Sequence, residues 1–267
     1  VATGMPATDH GFSFARLEAT RSYLTSYLVD GPLPNGMYLA AEQPSRSLRV
    51  VRRDGAEQLL VGGNGHPVGR HPRPGELIDD LYRWTGRHFA GAALTHSWAA
   101  QDWQPYGPTP WLLAAERGDR RLYAVGGYAK WGLTNAPAAA LRIRDAVCGH
   151  PTAGHDRILD RSRPQLRSLP SGLAGNLSVG RSAAQGWLRA LGRPGTDRPG
   201  TVGLRHGRPV AVGEDCVLSA VCPHLGGIVR WNPAERSWDC PLHGSRFAPD
   251  GSVLDGPATH GLSRLEA

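Results

Sequence analysis

Lysine is nearly missing from this sequence. Lys130 is the only one, so the net charge of +7 comes from arginines scattered along the chain. A nucleic-acid footprint concentrates its basic residues on one face or stripe, and this scatter argues against such a partner. Cysteine is scarce as well. Of Cys148, Cys216, Cys222 and Cys240, two sit beside histidines in short motifs, which is metal-ligand usage rather than a disulfide framework and points to a reducing, cytoplasmic compartment. No stretch approaches the roughly 18 uninterrupted apolar residues of a spanning helix, so no membrane span is expected. Initiator Met and a charged leader are missing too, since the chain opens Val1-Ala2-Thr3-Gly4, and the C-terminal part of something longer is expected. Also missing is a strand–Gly-x-Gly-x-x-Gly–helix unit. Gly62-Gly63-Asn64-Gly65 comes closest but leads into a Pro-containing loop, leaving the ADP half of a dinucleotide without a site.

What is present suits a globular protein: 267 residues, 40% hydrophobic and 20% charged, enough for two modest domains. Segments rich in Tyr, Leu and Val predict strands at 22–28, 37–41, 47–53 and 57–62, separated by turns such as Asp30-Gly31-Pro32. Leu77, Ile78, Leu81, Tyr82, Trp84 and Phe89 recur at helical spacing and predict a helix over 75–89, with a strand at 93–98 after it. A strand at 121–125 runs into Gly126-Gly127. Thr134 or Asn135 then suits the N-cap of an Ala-rich helix, with Pro137 in its first turn and Gly149 closing it. Pro, Gly, Ser and Arg dominate 150–198, which predicts a linker with one docking helix at 183–191. Short strands at 201–204, 209–212, 217–221, 228–231, 237–240 and 253–254 predict a small all-β tail. The fold class is therefore α+β, mixed sheet and helix followed by an all-β domain, divided at 1–148, 149–198 and 199–267.

The chemistry is concentrated in Cys222-Pro223-His224-Leu225-Gly226-Gly227 and Cys240-Pro241-Leu242-His243-Gly244-Ser245, with fifteen residues between His224 and Cys240. Each loop supplies one thiolate and one imidazole. Two such loops meeting tip to tip can give one iron two sulfurs and the other two nitrogens. Gly226, Gly227 and Gly244 let the loops turn tightly and bring N–H groups close to the bridging sulfides. A Cys₂His₂ zinc site uses the same ligand types, but its spacing usually leaves two or more residues within the first pair and places a helix after the second.

This tail closely resembles the Rieske family. The resemblance implies that Cys222 and Cys240 bind the inner iron, that His224 and His243 bind a solvent-facing iron as partly exposed ligands, and that Gly256-Pro257 belongs to a third loop covering the cluster. Respiratory Rieske proteins carry an extra cysteine in each loop, forming a disulfide; Gly227 and Leu242 stand there. Ser245 matches a serine that hydrogen-bonds the cluster, while Phe247 stands where those proteins use a tyrosine hydroxyl. Losing that hydrogen bond implies a potential below the respiratory type.

The segment from Ala124 to Asn135 resembles the C-terminal flavin-contacting motif of FAD-dependent amine and amino-acid oxidoreductases of the glycine oxidase and D-amino-acid dehydrogenase type. It implies flavin contacts from Gly126, Gly127, Tyr128, Lys130, Trp131, Gly132 and Thr134. Glycines let backbone lie against the isoalloxazine ring, and the positive helix end stabilises charge on the reduced flavin. Val1-Ala2-Thr3-Gly4, Leu60-Val61-Gly62-Gly63 and Trp98-Ala99-Ala100-Gln101-Asp102 resemble further segments of such enzymes, in the order of a FAD-dependent oxidoreductase fused to a C-terminal Rieske domain. The implied function is oxidation of an amine or amino acid at FAD, with the [2Fe–2S] cluster passing single electrons to an unknown acceptor. Catalytic residues are not identified. A stand-alone electron carrier and a Rieske oxygenase are the alternatives; His66 and His71 have four residues between them, but no acidic residue stands where a mononuclear iron would need one. Cys148 and Cys216 read as partly buried small residues, and Trp84, Trp111 and Trp131 as packing residues.

Overall fold

A computed structural model describes residues 13–53, 55–107, 111–112, 123, 125–150, 169–195 and 197–265. Val1-Ala2-Thr3-Gly4 and most of the strand expected at 121–125 lie outside them. A short 3-10 turn, Ser13–Arg16, leads into β1, Leu17–Leu28. Next come β2 (Tyr38–Leu39), β3 (Arg46–Arg53), β4 (Ala56–Pro67), the helix α1 (Pro74–His88) and β5 (Ala93–Pro105). The strands form one antiparallel sheet in the order β2-β3-β4-β1-β5.

β1 is the pivot. Its alternation puts Leu17, Ala19, Arg21, Tyr23 and Tyr27 on one face, and all five are buried. Tyr23 and Tyr27 pack with Leu59 and Val61 of β4 beneath Ile78 and Leu81 of α1. α1 starts with Pro74 and has Glu76 in its first turn and Arg87 and His88 in its last, the charge order its dipole favours. Truncating the fully buried Leu81 to alanine would cost about 2–5 kcal/mol. The other end of the face, Ala19 and Arg21, is left for the C-terminal unit. β4 and β5 run longer than expected: β4 continues past its glycines to Pro67, because its pairing with β1 holds through Thr20↔Pro67.

β6 (Trp111–Leu112) pairs with β7 (Val125–Gly126), and α2 spans Gly132–Cys148. The start of α2 corrects the expectation of an N-cap at Thr134 or Asn135. Ala129 and Lys130 take positive φ, Trp131 becomes the cap, and its carbonyl accepts from both Thr134 and Asn135 N–H. Pro137 consequently lies inside the helix. Gly149 closes it in the left-handed conformation as expected.

The docking helix is α3, Leu169–Leu191, fourteen residues longer at its start than the expected 183–191. Its glycines, which read as linker, are close-approach positions: a Cβ on Gly175 would lie 2.2 Å from the Tyr106 ring, and one on Gly186 would lie 3.3 Å from Ile228. Packing overrides propensity there. Two four-stranded sheets follow, β15-β10-β9-β8 and β11-β12-β13-β14, from β8 (Thr201–Arg205), β9 (Arg208–Val212), β10 (Val217–Ser219), β11 (Arg230–Asn232), β12 (Ser237–Asp239), β13 (Arg246–Phe247), β14 (Val253–Asp255) and β15 (Arg264–Leu265). Leu218, Val229, Trp238 and Phe247 fill the space between them. No helix among the described residues is long and apolar enough to cross a membrane.

Candidate metal centre

The two Cys/His loops are built alike. In the first, Cys222 N–H donates to Gly227 O at 2.8 Å and Gly226 N–H to Cys222 O at 3.0 Å; in the second, Cys240 N–H donates to Ser245 O at 2.8 Å and Gly244 N–H to Cys240 O at 3.1 Å. Closing each loop this way turns the next N–H groups inward. Those of His224 and Leu225 donate to the Cys222 sulfur, and those of Leu242 and His243 to the Cys240 sulfur. Glycine is required where the loops touch: a Cβ on Gly227 would sit 2.6 Å from Leu242 and 2.9 Å from the Cys240 sulfur.

The thiols form a pair and the imidazoles another. A hydrogen bond from Cys240, then N–H donors and the Ser245 hydroxyl, push the Cys222 thiol down to about 7 against the effect of burial. The same pairing and burial hold Cys240 well above the usual thiol range. The His224 and His243 rings stand 5.2 Å apart, nearly perpendicular. No three His, Cys, Asp or Glu side chains among the described residues meet at one point as ligands to a single ion; a division into two sulfurs and two nitrogens suits two irons. Ser245 Oγ accepts Ala258 N–H at 3.0 Å, which leaves its own hydrogen for the Cys222 sulfur and brings the segment after Gly256-Pro257 over the centre. Phe247 is fully buried in the core with no hydroxyl to offer.

The histidine edge is only half open to solvent: His224 is partly exposed, as expected of such ligands, but His243 is not. His243 is 6% exposed, and the Phe14 ring lies 4.7 Å from His243 and 5.2 Å from His224. The covering residues come from the first half. Gly244, at φ 78°, lies so close to β1 that a Cβ would come 2.3 Å from that of Ala19. Gln101 Nε2 donates to Gly244 O at 2.9 Å, and Arg70 donates to the carbonyls of Pro241 and Leu242. Arg21 ties Gln101 to Asp239, the residue before Cys240. From α3, Trp187 Nε1 donates to Gly226 O at 3.0 Å. Phe14, Arg21, Arg70 and Trp187 carry no motif, Gln101 only one that resembles a flavoenzyme segment, and all five lie from 35 to more than 200 positions from the loops they hold, so only the fold reveals this role.

The expected flavin-contacting residues run from the end of β7 into the first turn of α2, with Tyr128 and Gly132 partly exposed. Gly126 and Gly127 are buried, Lys130 is exposed, and Trp131 and Leu133 are 63% and 97% exposed. Trp131 therefore does not pack in the interior as expected; it stands at the cap position of α2. Thr134 is also exposed, and no side chain caps the helix N-terminus. Lys130 Nζ donates to Ser22 Oγ of β1 at 2.5 Å. Cys148 is exposed at the end of α2 rather than partly buried, because the last turn faces outward; Cys216 is half-buried, its sulfur 3.7 Å from Pro249 O. His66 does not approach a ligand set; its ring stacks on Tyr23 and bonds Asn64 O.

Residues 203–266 match the family model of the Rieske [2Fe-2S] domain. The C-terminal unit is a Rieske domain. YhfW of Bacillus subtilis (strain 168), which bears the name of a Rieske 2Fe-2S iron-sulfur protein, is 28% identical over 265 residues, 96% of this chain and 52% of YhfW. The cytochrome b6-f complex iron-sulfur subunit of Synechococcus sp. (strain JA-3-3Ab) is 48% identical over 50 residues, 19% of this chain and 29% of that protein. Glycine oxidase from Geobacillus kaustophilus aligns in structure over 56% of this chain and 40% of its own, at 18% identity and a TM-score of 0.44. The chain thus spans about half the length of YhfW, and the Rieske domain supports a [2Fe–2S] cluster in it.

Proposed function

We propose that this chain is the C-terminal portion of a FAD-dependent oxidoreductase acting on an amine or amino acid, in which the Rieske cluster carries single electrons from the flavin to an acceptor. The proposed units are a partial flavoprotein domain at 1–148, a linker and docking helix at 149–198, and the Rieske domain at 199–267. Cys222 and Cys240 bind one iron, His224 and His243 the other. Bound FAD would supply two-electron acceptance from a C–N bond, and a bound cluster one-electron transfer to the acceptor. The four free thiols suit a reducing compartment such as the cytoplasm.

One observation carries this reading: the expected flavin turn and the cluster loop grip neighbouring residues of one strand. Lys130 holds Ser22, while Asp239 and, through Gln101, Gly244 hold Arg21. Successive strand residues point to opposite faces. A flavin at the turn and a cluster at the loop would then stand on the two faces of a single sheet. On the flavin side this chain contributes the Gly126-Gly127 backbone, the uncapped N–H groups of α2 and the Lys130 ammonium. These groups fit the ring portion of the cofactor; the diphosphate would be held by residues outside this chain. On the cluster side, Gly227 and Gly244 admit the close approach, and Ser245 with four backbone N–H groups holds the sulfurs.

Anaerobic addition of candidate amines and amino acids to the flavin-loaded protein that contains this chain tests the reading. Bleaching of the flavin followed by a rhombic Rieske EPR signal is expected. Cluster reduction only by an added reductase would instead support a stand-alone electron carrier.

A further inference from the structure

Between α3 and the first strand of the second Rieske sheet lies a cavity of about 750 Å³. Its walls are sorted by chemistry. Ile228, Val229 and Trp231 with Gly186 and Ala190 form an apolar floor, while Arg189, Arg193 and Arg230 stand around it. No Asp or Glu lines it.

Several arginines elsewhere, exposed ones included, do find carboxylates: Arg52 bonds Glu57 at 2.7 Å, Arg205 bonds Asp197 at 2.5 Å and Arg236 bonds Glu214 at 2.6 Å. Arg70, which reaches the same cavity, is matched by Glu18 at 2.8 Å. Arg189, Arg193 and Arg230 have no carboxylate partner among the described residues. Arg230 is half-buried, and its pKa is lowered by burial and by the facing charge of Arg189. Two like charges held towards each other over a low-dielectric floor repel, and an anion between them removes that penalty. Guanidinium forks match the oxygens of a phosphate in pairs. The volume lies within the range of small-molecule sites, about 300–1,000 Å³, far more than a bare inorganic ion fills.

We propose that this cavity is a binding site for an organic phosphate, with the phosphate held by Arg189, Arg230 and Arg193 and the apolar body laid on Ile228 and Trp231. Arg230 and Trp231 belong to β11, which pairs with β12 directly before Cys240. The occupant therefore lies beside the first cluster loop, since Ile228 directly follows Gly227, and none of the four Cys and His residues lines the cavity.

The test uses the full chain with its cluster assembled, at constant ionic strength held with chloride. Thermal unfolding is followed while phenyl phosphate or inorganic phosphate is titrated. A saturable rise of the unfolding midpoint is expected with both, phenyl phosphate half-saturating at a concentration at least about threefold lower because of the apolar floor. The double variant Arg189→Gln/Arg230→Gln should need about tenfold more of either, while Arg236→Gln on another face leaves the titration unchanged. An unaltered Rieske EPR spectrum shows that the double variant is folded; should it fail to fold, Arg193→Gln alone should weaken binding at least about threefold. No saturable rise beyond chloride, equal binding by the folded arginine variants, or phenyl phosphate no tighter than inorganic phosphate would each overturn the proposal.

Discussion

Arg21 of β1 donates to the Asp239 carboxylate at 2.5 Å, with both side chains almost wholly buried and Asp239 directly preceding Cys240. Asp239 is completed by Asn232 at 3.1 Å and Ser237 at 3.1 Å, and Arg21 by Gln101 at 2.9 Å. A charge pair of this kind does little for stability compared with an apolar replacement of the same shape, but it is costly to break on one side. Its consequence here is positional: the cluster loop has one seat on the sheet.

Arg21→Met should destabilise the chain by about 3–5 kcal/mol, because it strands the Asp239 carboxylate. Adding Asp239→Asn should recover much of the loss, giving a strongly non-additive cycle in urea unfolding. Additive losses would mean that the two residues act separately.

Phe14→Ala should open the histidine edge. Stopped-flow oxidation of the reduced cluster by ferricyanide is expected to become several-fold faster, with the EPR spectrum unchanged, since Phe14 lies against both ligand rings. Identical rates would show that Phe14 does not control access.

Ser245→Ala should lower the cluster potential. Removing one hydrogen bond to sulfur is worth about 1 kcal/mol, or roughly 40 mV for a one-electron couple, within the broad Rieske range of about −150 to +300 mV. A potentiometric EPR titration reads the shift, and an unchanged midpoint would remove Ser245 from the tuning groups.

Acid should weaken the seat of the Rieske domain through His66. Burial, with repulsion from Arg21 and His71, lowers its pKa below the ordinary 6.5. The folded protein therefore resists protonation that the unfolded chain accepts, so this stability is present above pH 6.5 and is lost as pH falls below it. Urea midpoints measured from pH 7.5 to 5 should fall, and His66→Gln should flatten that fall. An equal slope in the variant would assign the acid sensitivity elsewhere.

The candidate metal centre was legible because its proposed ligands lie in two short motifs, each with its thiol, imidazole and glycines within six residues. The length of α3 was not. Gly172, Gly175, Gly180 and Gly186 carry a local signal for linker, and the partners that favour helix there, Tyr106 and Ile228, are 69 and 42 positions distant from Gly175 and Gly186. The start of α2 was misplaced for a related reason: two non-glycine residues with positive φ turn the chain into the helix early, a conformation that composition alone disfavours.

The sequence alone singled out the four proposed cluster ligands, the strand-rich tail and the resemblance to a flavin-contacting turn, since these rest on residue type at short spacing. Only the tertiary structure decided that the histidine edge is covered by Phe14, that Arg21 and Arg70 hold the cluster loop, and that Lys130 and Asp239 meet adjacent residues of β1. Those relationships join segments up to 218 positions apart, and which distant side chains meet is set by sheet register and packing, not by any local pattern along the chain.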